Sequence, residues 1–286
     1  MDEVIVIDNG SADETRSVAA EFGSTLISDR TRNLTRLFNR GWRESSGEVV
    51  AYLNDDSEPL PSWSEWISRA YEDHPEVAMV GGPTIDLNRR QMETLLHKAE
   101  QSRVVKMLVK AYDSIVTHNQ LTGIGHLFQT GGYSIGGYHA SSSSLDKPIE
   151  VDQLTMTNVA MKRHVPSELG GFDERFLFNH ADGDFFARAR RAGLKLLFHP
   201  KVVVFHHANP AGPVRNPFFL GKDTARFLTH SVTPRTARDR LGWIFNVAAF
   251  NLFWVYKTLE TGAAEQLAGI LGFANGIADV LGDAHR

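Results

Sequence analysis

The chain has 286 residues, of which 42% are hydrophobic and 22% charged, and its formal net charge is -4 at pH 7. This balance supplies apolar material for one large domain or two small ones, and it argues against a general nucleic-acid-binding protein. The chain contains 0 cysteines, which excludes disulfides, thiolate catalysis and cysteine-based zinc sites. Met1 is not followed by a secretory leader, and no apolar run reaches the length of a membrane span. We therefore expect a cytoplasmic protein.

Strand and helix patterns alternate along the first 80 residues. Residues 4–7 are a β-branched run that predicts a strand buried on both faces. Further strands are predicted at 25–27, 49–53 and 77–80, with helices at 14–22, 34–44 and 63–71. This alternation predicts an α/β fold with a mostly parallel sheet and helices on both faces. In such sheets, ligands bind beyond the carboxyl ends of the strands.

The second half of the chain is less regular. We predict a long amphipathic helix at 88–118, a Gly- and Ser-rich loop, lid or linker at 123–144, a strand at 151–161, a helix at 184–192, and strands at 195–198 and 202–205. Two apolar helices are predicted at 241–256 and 267–281. We favour helices that pack on the domain or on a second subunit. The alternative is an amphipathic element at a membrane surface. The polar faces of these helices are not strongly basic, which argues against this alternative.

Acidic residues follow two of the predicted strands. Asp8 ends the first strand, and Asn54, Asp55 and Asp56 follow the strand at 49–53. A buried carboxylate needs a partner because unpaired buried charge is costly. The partner is a divalent cation with a phosphorylated ligand, a basic side chain, or the backbone of a turn.

Four motifs stand in a fixed order along the chain. They are Val4-Ile-Val-Ile-Asp8-Asn-Gly-Ser11, then Asn54-Asp55-Asp56, then Asn158 to Arg163 with Gly170-Gly-Phe-Asp-Glu-Arg-Phe176, and finally Asp182-Gly-Asp184 with His206-His207. Together they resemble the family 2 glycosyltransferases over residues 2 to about 210. The resemblance implies a GT-A fold in residues 1–215, with residues 216–286 as a C-terminal helical extension. It also implies transfer of a sugar from a nucleotide-sugar to an acceptor hydroxyl with inversion.

The resemblance implies a donor site and a metal. Asp8 would contact the base of the nucleotide, with Ser11, Arg36, Asn39 and Asp55 as further donor-binding residues. Each has a second interpretation, as a turn residue, a helix cap or an exposed helix residue. Asp56 and His206 would bind Mn²⁺ or Mg²⁺, with His207 as the competing choice for the histidine.

The remaining implied roles concern the acceptor. Asp182 would be the general base that takes the proton from the acceptor hydroxyl, and Asn158 and Asp184 would line the pocket for the sugar and the acceptor. The alternative for Asp182 is an acid favoured by the dipole at a helix N-terminus, an interpretation that fits Asp184 better. The implied acceptor is a saccharide or a lipid-linked saccharide in cell-envelope polysaccharide or glycolipid synthesis, at the inner face of the membrane. The C-terminal helices would form a peripheral membrane contact or a homodimer.

Two departures from the family pattern support a second interpretation. The family's first strand, which ends in a Pro-Thr-Tyr-Asn-like turn, is missing before Val4, so we expect the native chain to begin upstream. Ala181 stands where the family has Glu. The second hypothesis is a catalytically impaired member that binds a nucleotide-sugar or a partner. A third, nucleotidyl transfer, would need a Gly-rich basic loop near the N-terminus, which this sequence lacks.

Overall fold

The computed structural model describes residues 3–87, 102–138, 140–207 and 216–283. Its strands are β1 (Ile5–Asp8), β2 (Thr25–Ser28), β3 (Val49–Leu53), β4 (Ser57–Pro59), β5 (Val77–Gly81), β6 (Thr84–Asp86), β7 (Ile149–Val151), β8 (Asn158–Lys162), β9 (Lys195–Phe198) and β10 (Val204–His206). Its α-helices are α1 (Thr15–Glu21), α2 (Leu34–Glu44), α3 (Trp63–Asp73), α4 (Arg103–Ile115), α5 (His164–Glu168), α6 (Ala181–Arg191), α7 (Pro217–Arg226), α8 (Ala237–Thr261) and α9 (Ala268–Asp283).

The central sheet has five strands in the order β3-β8-β5-β9-β7. Strand β8 lies between β3 and β5 and is antiparallel to both, β9 is parallel to β5, and β7 is antiparallel to β9. The α/β class is confirmed, but the prediction of a mostly parallel sheet is wrong in this detail, since the sheet is mixed. Alternation along residues 4–80 reports only local connections. It carries no information on a strand that enters from residues 158–162 in the opposite direction.

Two smaller sheets flank the central one. Strand β1 is parallel to β2, and β10 lies between β4, to which it is antiparallel, and β6, to which it is parallel. The first strand is not buried on both faces as predicted. Residues Ile5 to Ile7 are half-buried and Val4 is 44% exposed, because among the described residues β1 pairs with β2 alone.

Helices cover both faces of the central sheet, as the sequence predicts. On one face, Phe185 and Phe186 of α6 pack with Phe172, Met79 and Met161. On the other face, α3 contributes Trp63, Ile67 and Ala70, which pack with apolar residues of β5 and β10. The sheet is therefore the inner layer of the fold, covered by helices on both faces.

Part of the second half differs from its prediction. Of the helix predicted at 88–118, residues 88–101 lie outside the described residues, and the described part is α4. The segment at 123–144 holds a bridge between Leu127 and Tyr133 and two short 3₁₀ turns. The strand predicted at 151–161 is two strands, β7 and β8, because residues 152–157 turn the chain between them.

The C-terminal helices pack against the rest of the chain. Helix α8 begins with a capping box between Thr236 and Asp239 and ends at Gly262, whose φ of 68° is readily adopted by glycine. A third apolar cluster joins Phe227 and Phe273 from this region to Phe176. None of the helices in the described ranges has both the length and the apolar character to span a bilayer. The division at residues 215 and 216 remains a prediction.

Candidate active site

The strand directions bring two of the predicted acids to one edge of the central sheet. Strands β3 and β5 are both antiparallel to β8, and β9 is parallel to β5, so β3, β5 and β9 end at the same edge. Asp56 follows the end of β3. Helix α6 leads into β9 through a short turn and therefore runs back over the sheet, which puts the N-terminus of α6, with Asp182, at the same edge.

Hydrogen bonds connect the end of β1 to this region. The backbone N–H of Asp29 donates to the backbone oxygen of Asp8 at 2.9 Å. The chain then enters α2, where the N–H of Leu34 donates to the backbone oxygen of Leu177 at 3.0 Å. Leu177 lies in the segment that leads to Asp182. The end of β1 is thus tied, through the start of α2, to the segment that precedes α6.

The carboxylate of Asp8 is buried, with 2% of the residue exposed. Its Oδ1 accepts hydrogen bonds from the N–H groups of Ser11 at 2.7 Å and Gly10 at 3.0 Å, and these bonds, those from Ser11 foremost, lower the pKa of Asp8. Its Oδ2 accepts no hydrogen bond from the described residues and lies 3.5 Å from Nε of the half-exposed Arg16. Asp8 is therefore an ionised acid with one oxygen left for a ligand. Ser11 shapes the turn through its backbone.

Asp56 and His206 face each other. Strand β10 pairs with β4 so that His206 lies opposite Ser57, and Nε2 of His206 is 3.1 Å from Oδ1 of Asp56. Despite this distance Oδ1 is buried and makes no hydrogen bond. A carboxylate oxygen and an imidazole nitrogen that approach without a hydrogen bond suit a shared cation. Asp56 and His206 therefore fit a divalent metal.

The neighbouring histidine has a different partner. Nε2 of His207 is 3.0 Å from Oε2 of Glu58, and both side chains are largely exposed. Asp55 is also exposed. Among the residues that the structure describes, no group of three or more His, Asp or Glu side chains forms a ready metal cage. A metal at Asp56 and His206 would need its other ligands from a bound phosphate or water, as Mg²⁺ sites often do.

Asp182 lies in the first turn of α6. It is half-buried, and its Oδ1 accepts a hydrogen bond from the N–H of Gly183 at 2.8 Å. His180, just before the helix, has a left-handed backbone with φ 59°. The turn at His180 directs the chain into α6 so that Asp182 is presented at the helix N-terminus, where the helix dipole favours a negative charge.

Three predicted site residues have structural contacts instead. The side chain of Asn39 is buried and makes four hydrogen bonds, to both backbone groups of Phe172 and to the side chains of Glu174 and Trp42. This uses its full bonding capacity to fasten α2 to the loop at 170–174. Arg36, by contrast, is exposed on the first turn of α2, 3.8 Å from Asp29.

Asn158 and Asp184 are also occupied. Asn158 is fully buried, accepts a hydrogen bond from Nε1 of Trp63 at 2.9 Å, and donates to the backbone oxygens of Pro83 and Val202. Asp184 is paired with Arg188 at 2.8 Å and accepts a hydrogen bond from Ser231 at 2.7 Å. The polar side-chain atoms of both residues are therefore engaged in contacts within the fold, which leaves them no free polar atom for the predicted pocket roles.

Asp223 on α7 was not singled out in the sequence. It is fully buried, and its carboxylate accepts hydrogen bonds from the N–H groups of Leu177 (3.1 Å), Phe178 (2.9 Å) and Asn179 (3.0 Å). Burial raises the pKa of Asp223, against the effect of these hydrogen bonds. The signal available in the sequence was a single acid among the apolar and basic residues from Pro217 to Leu228. Asp223 fixes the segment immediately before α6.

His180 is the second residue missed. Its ring stacks on Phe227, with centroids 4.7 Å apart and planes at 5°, and its Nε2 lies 3.1 Å from Oγ1 of Thr224. Burial of the ring lowers the pKa of His180 to about 4, so the imidazole is neutral near pH 7. Asp223, Thr224 and Phe227 together show that the C-terminal region holds the segment that presents Asp182.

Known proteins resemble the chain in sequence and in fold. Residues 1–136 match the model of the family described as "Glycosyl transferase family 2". Glycosyltransferase AglE of Haloferax volcanii is 25% identical over 227 residues, which cover 77% of this chain and 62% of that protein. The chain thus spans less than two thirds of the length of this relative.

Solved structures share the fold at low sequence identity. The structure of S. aureus TarS 1–349 in complex with UDP-GlcNAc has a TM-score of 0.58 at 11% identity, covering 97% of this chain and 71% of that one. The mannosyltransferase PcManGT from Pyrobaculum calidifontis, in complex with GDP-Man and Mn²⁺, has a TM-score of 0.50 at 14% identity, covering 99% of this chain and 70% of that one. The family match covers residues 1–136, less than half of the chain, and the shared architecture leads to one conclusion: the chain is similar to family 2 glycosyltransferases in this part and has the GT-A fold.

Proposed function

We propose that the chain transfers a sugar, with inversion, from a nucleotide-sugar to an acceptor hydroxyl. The observation that carries the proposal is the pair formed by Asp56 and His206 at the sheet edge where α6 begins with Asp182. Structures of similar fold contain UDP-GlcNAc or GDP-Man with Mn²⁺, which supports a nucleotide-sugar and a divalent cation for this chain as well.

The donor would bind along the ends of β1 and β3. Asp8 is ionised and has a free Oδ2, so it can accept a hydrogen bond from an N–H of the nucleotide base. Ser11 holds the turn beside it, and the exposed side chains of Asp55 and Arg36 are available for the ribose, the sugar or the phosphates. These four residues make up the proposed donor site.

The residues that would hold a metal are Asp56 and His206. A bound Mn²⁺ or Mg²⁺ supplies positive charge that neutralises the diphosphate as it leaves. The two side chains form an incomplete ligand set, so the affinity of the metal should depend on the nucleotide diphosphate. His207 is excluded from this role because its ring is directed to Glu58.

Asp182 would act as the general base. Its carboxylate takes the proton of the acceptor hydroxyl while the hydroxyl oxygen attacks the anomeric carbon from the side opposite the diphosphate. The bond between the anomeric carbon and the diphosphate oxygen breaks, and its electron pair leaves with the nucleoside diphosphate. A single displacement of this kind inverts the anomeric centre.

The segment before Asp182 must be rigid for this step, because small misplacements of a catalytic group are costly. Asp223 supplies this rigidity through its bonds to Leu177, Phe178 and Asn179. We propose a saccharide or lipid-linked saccharide as the acceptor, in cell-envelope polysaccharide or glycolipid synthesis. This places the enzyme in the cytoplasm or at the inner face of the membrane.

The test is a transfer assay on the Asp182→Asn variant. We expect transfer to fall by at least 10²-fold, as expected for the loss of a general base, while Mn²⁺-dependent binding of UDP or GDP measured by calorimetry is kept. Glu58→Gln is the matched control, since it removes an exposed carboxylate outside the proposed machinery. Wild-type transfer by Asp182→Asn would refute the assignment. Nucleotide binding without transfer by the wild-type chain would support the impaired-enzyme hypothesis instead.

A further inference from the structure

Helix α8 exposes an apolar stripe. Leu241, Ile244, Leu252, Val255 and Leu259 recur on one side of the helix, with Leu252 65% and Leu259 80% exposed. The side that faces the protein carries the buried Asn246 and Gly242. No charged residue occurs from 241 to 256. The helix therefore exposes its leucines and buries an asparagine. This is the reverse of an ordinary surface helix, which exposes its polar residues to water and buries its apolar ones.

Helix α4 has the same character and lies next to α8. None of its residues is buried, and Val104, Met107 and Leu108 are all more than 60% exposed. The hydroxyl of Tyr112 on α4 donates to Oδ1 of Asn246 at 3.3 Å. Gly242 approaches the backbone oxygen of Ile115, so closely that a side chain there would collide with it. The two exposed apolar stripes thus belong to neighbouring helices.

Basic residues border these stripes. Six exposed cations lie on the two helices and on the segment that enters α8, namely Arg103, Lys106, Lys110, Arg235, Arg238 and Arg240. Within the described part of the chain, none of the six forms an ion pair with another residue. The charge of this face is opposite in sign to the formal net charge of -4 of the whole chain.

The carboxylates of these stretches do not offset the cations at the surface. Asp113 accepts hydrogen bonds from the hydroxyl of Thr117 and the N–H of Leu121, and Asp239 is buried in the capping box of α8. The first exposed acid along α8 is Glu260, at the far end of the helix. Among the described residues, the face thus combines apolar stripes with six cations that form no ion pair.

We propose that α4 and α8 form a docking face that lies on an anionic lipid surface. The apolar side chains would enter the boundary between headgroups and acyl chains, and the six cations would meet lipid phosphates. The contact would be peripheral, which agrees with helices too short or too polar to span a bilayer in the described ranges. The proposal does not depend on the transfer reaction.

Charge decides between lipid and a second copy of the chain. In a two-fold dimer the same face meets itself, so the cations of one copy would approach those of the other. Like charges brought together at an interface are unfavourable. An anionic membrane carries charge of the opposite sign to the cations of this face. Its phosphates can pair with these cations, and its acyl chains can take up the exposed apolar side chains.

The experiment uses flotation of the full chain with vesicles of phosphatidylcholine, alone or mixed with phosphatidylglycerol. We expect binding to the mixed vesicles only, weakening as salt is raised. Lys106→Gln with Lys110→Gln removes two charges, each worth roughly fivefold in partitioning, so binding should fall by about 25-fold. Leu252→Glu with Leu259→Glu should abolish it. Phe22→Glu, at an equally exposed residue (78%) directly after α1, is the control and should bind like the wild type.

Several outcomes would overturn the proposal. They are no flotation of the wild type with phosphatidylglycerol at low salt, equal flotation of the lysine variants, or equal loss in Phe22→Glu. A concentration-dependent dimer in sedimentation that the leucine variants dissolve, without vesicle binding, would assign the face to a second copy. Binding to an acidic protein, without binding to vesicles, would assign the face to a protein partner. Should the leucine variants fail to fold, the lysine variants on the exposed side of α4 still decide the matter.

Discussion

Nε2 of His206 lies 3.1 Å from Oδ1 of Asp56, and that oxygen makes no hydrogen bond. The contact joins two residues 150 positions apart, because the antiparallel pairing of β4 and β10 sets His206 opposite Ser57. At this distance a carboxylate oxygen and an imidazole nitrogen can share a proton or a bound cation. The pair is therefore a candidate for two of the ligands of a divalent metal.

Removal of either side chain should weaken metal binding. In Asp56→Asn and His206→Ala, we expect the Mn²⁺ concentration needed for thermal stabilisation in the presence of UDP or GDP to rise on the order of tenfold or more. His207→Ala is the control, since His207 contacts Glu58. An equal loss in His207→Ala would contradict the assignment of His206.

Asp223→Asn should slow transfer more than it weakens donor binding. The amide puts an NH₂ group against N–H donors, which costs about 1–3 kcal/mol of stability and loosens the segment before Asp182. We expect kcat to fall on the order of tenfold, while KM for the donor stays within about twofold, since none of the proposed donor contacts is altered.

Leu228→Ala is the matched control for this variant. Leu228 is 2% exposed in the same apolar cluster, so its truncation costs about 2–5 kcal/mol. It makes no hydrogen bond through its side chain to residues 177–179. If Leu228→Ala lowers kcat as much as Asp223→Asn at a temperature where both are folded, Asp223 has no special positioning role.

His180 should make the protein acid-sensitive. Burial lowers the pKa of His180 from 6.5 to about 4, so the unfolded chain binds a proton below pH 6.5 that the folded chain takes up only near pH 4. The contribution of neutral His180 is complete above pH 6.5 and decreases as pH falls toward 4, by about 1.4 kcal/mol per pH unit at most.

Urea unfolding at pH 7 and pH 5 measures this effect. In His180→Asn, which tolerates the left-handed backbone at φ 59°, the difference between the two pH values should shrink by roughly 1–2 kcal/mol. An identical pH dependence in wild type and His180→Asn would contradict the prediction.

Asn158→Ala should destabilise the fold. It would leave Nε1 of Trp63 and the backbone oxygens of Pro83 and Val202 without their partner in a fully buried site. We expect a loss of about 2–4 kcal/mol in urea unfolding. Asn54→Ala, which removes one hydrogen bond of 3.3 Å to Thr157, should cost less than about 1 kcal/mol. Equal losses of unfolding free energy in the two variants would show that Asn158 stabilises the fold no more than Asn54 does.

The ends of strands could be predicted from the sequence because they depend on local pattern. Asp8 and Asp56 follow β-branched runs, and the structure has them at the ends of β1 and just beyond β3. Which histidine approaches Asp56 could not be predicted. It depends on the register between β4 and β10, and a shift of one residue would exchange His206 for His207.

Sequence pattern alone does not distinguish polar residues that stabilise the fold from polar residues that bind a ligand. Asn158 lies within a motif that indicated the family, and the resemblance implied a donor-binding role for Asn39. The side chains of both are engaged in buried hydrogen bonds instead. Asp223 was missed for the related reason that its partners are backbone N–H groups 44 to 46 positions away. Every residue except proline has a backbone N–H, so the sequence does not show which of these groups bind a given carboxylate.

The position of β8 also has a consequence for synthesis on the ribosome. Strands β3 and β5 are complete once residue 81 has been made, but they do not pair with each other, since β8 fills the space between them. The nascent chain must therefore carry two unpaired strand edges until residues 158–162 emerge. Such late, long-range closure is slow and leaves edges open to wrong partners.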